Sequence, residues 1–353
     1  MSVKAGNKLK IALVGCGRIS DNHFNAILKL KSDLELVAVC DANSKAANDT
    51  SVKYNVKAYS DLDQLLAEEE LDLIVLCTPS GVHSHQTIAA AKSKVNIITE
   101  KPMATNWEDG NKMVDICRKL NVKLFVVKQN RLSAPIHLLK KAISDNRFKK
   151  IHLVNMNIFW TRPQSYYDEG TGWRGTKDLD GGALMNQASH YVDLLDWLFG
   201  PISEVHAFTS TSRDIEAEDT ASLNLKWKEG TIGSLSVTML TYPKNLEASI
   251  TVIGENGTVK IGGTGANKIE EWLFEDIQEY DQSIGSINDP DNKHADSGHT
   301  KYYKNVIDVL KNDAKPISDG ESGLKSLEII VGAYLSAENQ TVTKLPLNQT
   351  KLK

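Results

Sequence analysis

A glycine loop near the start of the chain limits its possible folds more than any other feature. Residues 10–14 form a short apolar run of strand character that feeds directly into Gly15-Cys16-Gly17-Arg18-Ile19-Ser20, after which apolar residues recur at helical spacing. A strand, a G-x-G-x-x-small turn and a helix in that order open a dinucleotide-binding βαβ unit. Gly15 permits the tight turn and Gly17 lets the backbone approach a pyrophosphate with no Cβ in the way. The helix start around Arg18 and Ile19 offers unpaired N–H groups and the positive end of a helix dipole to an anion. Ser20 takes the third small position and lets helix and strand pack closely. A plain glycine turn is the alternative for the loop alone, and the rest of the first third of the chain argues against it.

That stretch alternates strand-like runs (10–14, 34–40, 72–77, 95–99, 123–127) with helical spacing (19–30, 44–54, 62–68, 84–93, 107–120), the pattern of a doubly wound parallel sheet covered on both faces. Asp41 ends the second run, 26 residues after Gly15. A carboxylate there accepts hydrogen bonds from the adenosine ribose diol and repels a 2′-phosphate, which favours NAD over NADP. Lys45 keeps NADP open, and helix capping is the plainer reading of Asp41. Run 72–77 leads into Thr78-Pro79-Ser80, expected to line the nicotinamide half of the crevice beyond the strand ends, with His83 just inside the next helix. For His83 and His85 a surface or capping role is the plainer reading. Run 95–99 leads into Glu100-Lys101-Pro102, an ionisable pair beside the same crevice. A lysine of lowered pKa there can exchange a proton with a substrate hydroxyl; a solvated lysine is the alternative.

After about residue 145 the texture changes. Ala221, Leu223, Leu225 and Trp227 alternate with Ser222, Asn224, Lys226 and Lys228, the period of a half-buried antiparallel strand. Runs 231–240 and 246–253 repeat it, run 151–160 joins them, and Asn256-Gly257 predicts a type I′ hairpin turn with positive φ at both residues. Helices are expected at 187–199 and 302–311, and a late helix carries Leu327, Ile330, Val331 and Tyr334 on one face, with either domain to pack against. The predicted fold class is α/β: a Rossmann domain over 1–128, then an α+β domain with a large, mostly antiparallel open sheet over 129–353.

Lys+Arg 41 against Asp+Glu 45 gives a net charge of −4 with no long run of one sign, so neither nucleic acid nor an acidic membrane surface is an expected partner. No apolar run approaches the ~18 residues a membrane helix needs. The polar start leaves no room for a signal peptide, and a cytoplasmic location is expected. Cys16, Cys40, Cys77 and Cys117 lack C-x-x-C spacing and read as reduced structural thiols. No metal-binding motif is present, and no metal is expected.

The glycine loop, Asp41, Thr78-Pro79-Ser80 and Glu100-Lys101-Pro102, followed by an antiparallel second domain, resemble the glucose–fructose oxidoreductase and inositol dehydrogenase family over nearly the whole chain. In that family a Gly-Gly segment before a D-x-x-x-H helix supplies the other catalytic group. Here Asp180-Gly181-Gly182 precedes Asn186 and His190, with asparagine at the usual aspartate. Four residues apart, the two share a helix face, and an asparagine orients an imidazole without stabilising its cation, which makes Lys101 the stronger claimant as base. A buried histidine bonded within its own helix is the alternative for His190.

Lys128-Gln129-Asn130-Arg131, Trp160 to Asp168, Trp173-Arg174-Gly175-Thr176 and Met185 to Tyr191 are similar to segments of bacterial UDP-N-acetylglucosaminuronate 3-dehydrogenases. The resemblance implies oxidation of the C3 hydroxyl of a UDP-linked acetamido uronic acid for surface polysaccharide (O-antigen) synthesis. It also implies a product passed to an aminotransferase and, in some members, NADH recycled with 2-oxoglutarate. It places Lys101, Asn186 and His190 around the reacting hydroxyl. Arg131, Arg162 and Arg174 are forked donors suited to a uronate and a diphosphate, with solvated arginines as the alternative. Gln129 and Asn130 are candidates for nicotinamide or sugar. His299 and Tyr302 resemble a nucleotide-binding edge, although core packing competes for Tyr302 and Tyr303. The open sheet and the resemblance imply a homo-oligomer, a dimer or tetramer. The rivals are another sugar or polyol dehydrogenase of the family and a catalytically silent NAD sensor.

Overall fold

The computed structural model describes residues 7–169, 172–289 and 298–347; residues 1–6 of the polar start lie outside it. The chain divides into two compact units, one holding the described residues 7–129 and 298–324, the other 130–289 and 325–347.

The first unit alternates β1 (Leu9–Val14), α1 (Ser20–Lys29), β2 (Leu34–Cys40), α2 (Ser44–Tyr54), β3 (Lys57–Tyr59), α3 (Leu62–Glu68), β4 (Leu73–Leu76), α4 (His83–Lys92), β5 (Asn96–Thr99), α5 (Trp107–Leu120) and β6 (Leu124–Val126). The parallel sheet has the order β3-β2-β1-β4-β5-β6, that of a dinucleotide-binding fold. Ile11 of β1 pairs with Leu36 on one side and Leu73 on the other. All four residues of β4 are fully buried, as a strand covered on both faces requires. β3 was not foreseen, because three residues are too few to show a period.

Local chemistry sets the helix ends. In α5 the Asn106 side chain accepts the Asp109 N–H at 2.9 Å, Glu108 and Asp109 sit in the first turn, Arg118 and Lys119 in the last, and Asn121 closes it at φ 53°. Removing that cap with Asn106→Ala is expected to cost ~1 kcal/mol, read as a lower denaturant midpoint at an unchanged slope.

The second unit begins with α6 (Ala134–Ser144), followed by β7 (Ile151–Phe159), α7 (Gln164–Asp168), α8 (Ser189–Phe199), β8 (Ile202–Ser210), β9 (Thr220–Trp227), β10 (Ile232–Thr238), β11 (Glu247–Gly254), β12 (Gly257–Gly262), β13 (Lys268–Phe274) and α9 (Ile284–Asn288). The chain then forms α10 (Gly298–Asn312), α11 (Gly320–Asn339) and β14 (Thr343–Lys344). The eight-stranded sheet runs β13-β12-β11-β7-β10-β9-β8-β14. It is antiparallel except that β7 lies parallel to β10 while pairing antiparallel with β11. β9 buries every second residue, as its alternation predicts.

Three expectations change. The β11–β12 hairpin forms, but neither Asn256 nor Gly257 has positive φ; glycine is needed at 257 because a Cβ there would collide with the Phe274 ring. A single boundary at 128/129 does not hold, since residues 298–324 return to the first unit. α10 buries Tyr302, Tyr303, Val306 and Val309 there, and the Tyr302 hydroxyl donates to the Val126 carbonyl at 2.8 Å. The third concerns Gln187, which precedes the helix that starts at Ser189.

The four cysteines are free, and burial pushes the Cys40 and Cys117 thiols up to about 12. Among the described residues no helix is long and apolar enough to cross a membrane.

Candidate functional site

In the first unit the predicted residues collect at the carboxyl ends of β1, β2, β4 and β5. Gly15 has φ +93°, and a Cβ on it would lie 2.7 Å from the Cys77 carbonyl, so only glycine passes here. Above Gly17 an added Cβ would meet nothing within 4 Å, which leaves the loop open on the side a pyrophosphate approaches. Arg18 is exposed and Ile19 half-buried at the start of α1. Asp41 accepts the Cys16 N–H on one oxygen and the Asn43 N–H on the other, each at 2.8 Å. It does not cap α2; Asn43 does. Each carboxylate oxygen keeps a further lone pair for a ribose hydroxyl. Lys45 is drawn to Asp49 at 2.6 Å. These residues fit an adenine dinucleotide.

Beyond β4, Thr78 donates to Gln86 at 2.6 Å, and Pro79 and Ser80 form the turn into α4. The structure moves His83 from surface to interior. It is fully buried, and its ring lies between the Thr78 carbonyl at 3.0 Å and the Pro102 carbonyl at 3.1 Å, bracing two loops against each other. Burial pushes its pKa down, opposed by those carbonyls. It braces the two loops that border the crevice.

Glu100 is also turned inward. One oxygen meets His23 Nε2 at 3.0 Å and His299 Nε2 at 3.5 Å, while the other accepts the Lys101 backbone N–H at 3.1 Å. Burial resists its ionisation, but the bonds from the two histidines and the Lys101 charge hold its pKa well below the usual carboxylate range. Its carboxylate is engaged in this network. His299 is likewise buried against Glu100, and Tyr302 is fully buried with its hydroxyl on Val126, as core packing requires. Lys101 itself is half-buried. Gln129 is half-buried in the short turn Gln129–Leu132 that follows β6.

In the second unit Asn130 is half-buried, but Arg131 is 6% exposed and forks onto Asp193 with two bonds of 2.7 Å. A guanidinium so used is an internal strut. Arg162 and Arg174 are half-buried and lie over the Tyr166 ring, 5.4 and 4.6 Å from its centroid. Arg162 donates to the Thr161 carbonyl at 2.7 Å and Arg174 to that of Tyr166 at 2.9 Å.

Asn186 and His190 do not share one regular helix. Asn186 lies in a π-turn, Ala183–Gln187, and His190 is the second residue of α8. The Asn186 amide donates to Asp180, a buried carboxylate that also accepts the Gly175 N–H at 2.7 Å. Asp180 was legible only as the start of a motif; its role behind Asn186 depends on the turn between them. Beneath the Gly-Gly segment sits Glu218, which accepts the Leu184 N–H at 2.8 Å and the Tyr334 hydroxyl at 3.0 Å. A Cβ on Gly182 would collide with that carboxylate, which explains the second glycine. Burial pushes the Glu218 pKa up to about 7. No sequence signal marked Glu218.

Residues 9–128 match the model of an oxidoreductase family with an NAD-binding Rossmann fold, and 140–346 that of the same family's C-terminal α/β domain. The WlbA dehydrogenase of Bordetella pertussis, solved with NADH and UDP-GlcNAcA, is 48% identical, with 97% of this chain and 99% of that one covered and a TM-score of 0.94. Its Chromobacterium violaceum counterpart, solved with the same ligands, is 47% identical, with 99% of each chain covered and a TM-score of 0.95. The myo-inositol 2-dehydrogenase of Thermotoga maritima is 25% identical over 357 residues, 96% of this chain and 98% of that protein. With both halves matched and the cofactor loop built as such a fold requires, the chain belongs to the glucose–fructose oxidoreductase, inositol dehydrogenase and MocA family and is an NAD-dependent oxidoreductase.

Proposed function

We propose that the enzyme oxidises the C3 hydroxyl of UDP-2-acetamido-2-deoxy-D-glucuronate to the ketone in bacterial O-antigen synthesis, in the cytoplasm. One observation carries this reading: the likeness at 47–48% identity, over nearly the full length, to two dehydrogenases solved with NADH and UDP-GlcNAcA. NAD, when bound, takes the hydride from the sugar carbon. Gly15, Gly17, Arg18, Ile19 and Asp41 hold its pyrophosphate and ribose, and Thr78, Pro79, Ser80 and Gln129 border its nicotinamide. Lys101 takes the hydroxyl proton. Asn186, backed by Asp180, and His190 orient the hydroxyl, and Asn130 contacts the sugar. Arg162 and Arg174, a pair of cations on one tyrosine ring, suit the uronate or diphosphate. The same reading extends to 2-oxoglutarate as the oxidant that recycles NADH and to an aminotransferase that consumes the 3-keto product.

The test follows nicotinamide absorbance at 340 nm in protein given NAD and UDP-GlcNAcA, with 2-oxoglutarate added afterwards. The expected result is a rise that 2-oxoglutarate reverses. No rise, with bound NAD confirmed, rejects this sugar nucleotide; a rise that persists rejects only the recycling.

We also propose a homo-oligomer formed through the open face of the large sheet. Leu153 pairs in register with Ile253 on one side and Ile232 on the other, and all three are exposed, making an apolar row across three strands.

A further inference from the structure

Four side chains from three distant parts of the chain close a buried network directly behind Lys101. The Tyr303 hydroxyl lies 2.8 Å from His23 Nδ1, His23 Nε2 lies 3.0 Å from Glu100 Oε1, His299 Nε2 reaches the same oxygen at 3.5 Å, and the other Glu100 oxygen accepts the Lys101 N–H. His23 and Tyr303 are fully shielded, and Glu100 and His299 nearly so. Burial keeps the phenol protonated and the His23 ring neutral. The proton order is then fixed: Tyr303 donates to Nδ1, and Nε2–H donates to the carboxylate. The rings of His23 and His299 meet edge to face at 5.0 Å, which fixes both planes. A buried carboxylate costs free energy unless it is fully bonded, and this one accepts two bonds from a histidine pair and one from the backbone N–H of the residue proposed as base.

We propose that His23, His299 and Tyr303 are positioning residues that act through Glu100 to fix the Lys101 backbone at the end of β5, so that the lysine's amine is aimed without sampling other conformers. The inference rests on the reading of Lys101 as the base. The rival is a metal site, for which His23, Glu100 and His299 have the right ligand types; in the network proposed here protons take the place of that cation.

The holoenzyme variants His23→Phe, His23→Gln and Tyr303→Phe test it, each with NAD affinity measured by tryptophan quenching. Misplacing a reacting group by about 1 Å costs up to ~100-fold. His23→Phe is therefore expected to lower kcat by about 10- to 100-fold with KM and NAD affinity nearly unchanged, and Tyr303→Phe by less. His23→Gln, whose amide can still donate to Glu100, should recover most of the loss. In a Lys101→Ala background the His23 substitution should cost nothing more. Parental turnover in folded His23→Phe, with Lys101→Ala inactive, overturns the network alone; parental turnover in Lys101→Ala overturns the base and the network together. If His23→Phe fails to fold, Tyr303→Phe, which loses only a hydroxyl, decides by the same criterion. One tightly held metal ion per chain in the purified protein also overturns the proposal.

Discussion

Lys101→Ala is expected to lower kcat by about 10³-fold while NAD binds as before, because a positioned general base contributes about 10²- to 10⁴-fold and the cofactor cradle is built elsewhere. Gly15, Gly17 and Asp41 belong to the β1 and β2 ends, and the bonds to Asp41 that shape their loop come from the Cys16 and Asn43 N–H groups. Stopped-flow mixing with the sugar nucleotide should show no reduced nicotinamide within the parental turnover time, whereas equilibrium binding of NAD stays within about two-fold. A sensor on this fold would hardly register the change. Parental turnover would remove Lys101 as the base and move the proton to His190, whose own replacement then becomes the deciding one.

The first unit was readable because a parallel sheet writes itself as continuous apolar runs. β1, β2, β4, β5 and β6 appear within about a residue of the expected ends, and the glycine loop lies where strand meets helix. What stayed hidden depends on meetings that no window can contain. His23, Glu100 and His299 are 77 and 199 residues apart along the chain yet share one oxygen. Arg131 read as a forked anion binder, and its chemistry was correct, but the anion is Asp193 of its own unit. Tyr303, Val306, Ile307 and Leu310 carry a helical period, and the period cannot say which unit their face meets. Asn186 and His190 were placed by assuming 3.6 residues per turn, whereas the π-turn before α8 changes the geometry between them. Parallel pairing of β7 with β10 is invisible for the same reason: alternation marks a half-buried strand and not its neighbour's direction.

Glu218 is expected to make stability fall with pH in a range where most carboxylates have finished titrating. Burial raises its pKa from the ordinary 4.5 to about 7, so the folded protein holds this proton more tightly than the unfolded chain does. The stabilisation is complete below about pH 4.5 and is lost as the pH rises through about 7, to a total of ~3 kcal/mol. Above that pH the carboxylate must stay ionised in the interior, where the Leu184 N–H and the Tyr334 hydroxyl donate to it. Glu218→Gln keeps the shape and an acceptor for both donors but has no proton to lose. Relative to the parent it should be close to neutral at pH 5 and more stable by ~3 kcal/mol at pH 8, a divergence that denaturant unfolding at the two pH values measures. Parallel stabilities across that range would mean that Glu218 titrates as an ordinary carboxylate. The contact matters for the candidate site because the same carboxylate seats Gly182 and Leu184 at the mouth of the π-turn that carries Asn186. Ionising it therefore strains the segment on which the proposed sugar contacts stand, and the activity of the parent should decline over the same pH range while that of Glu218→Gln does not.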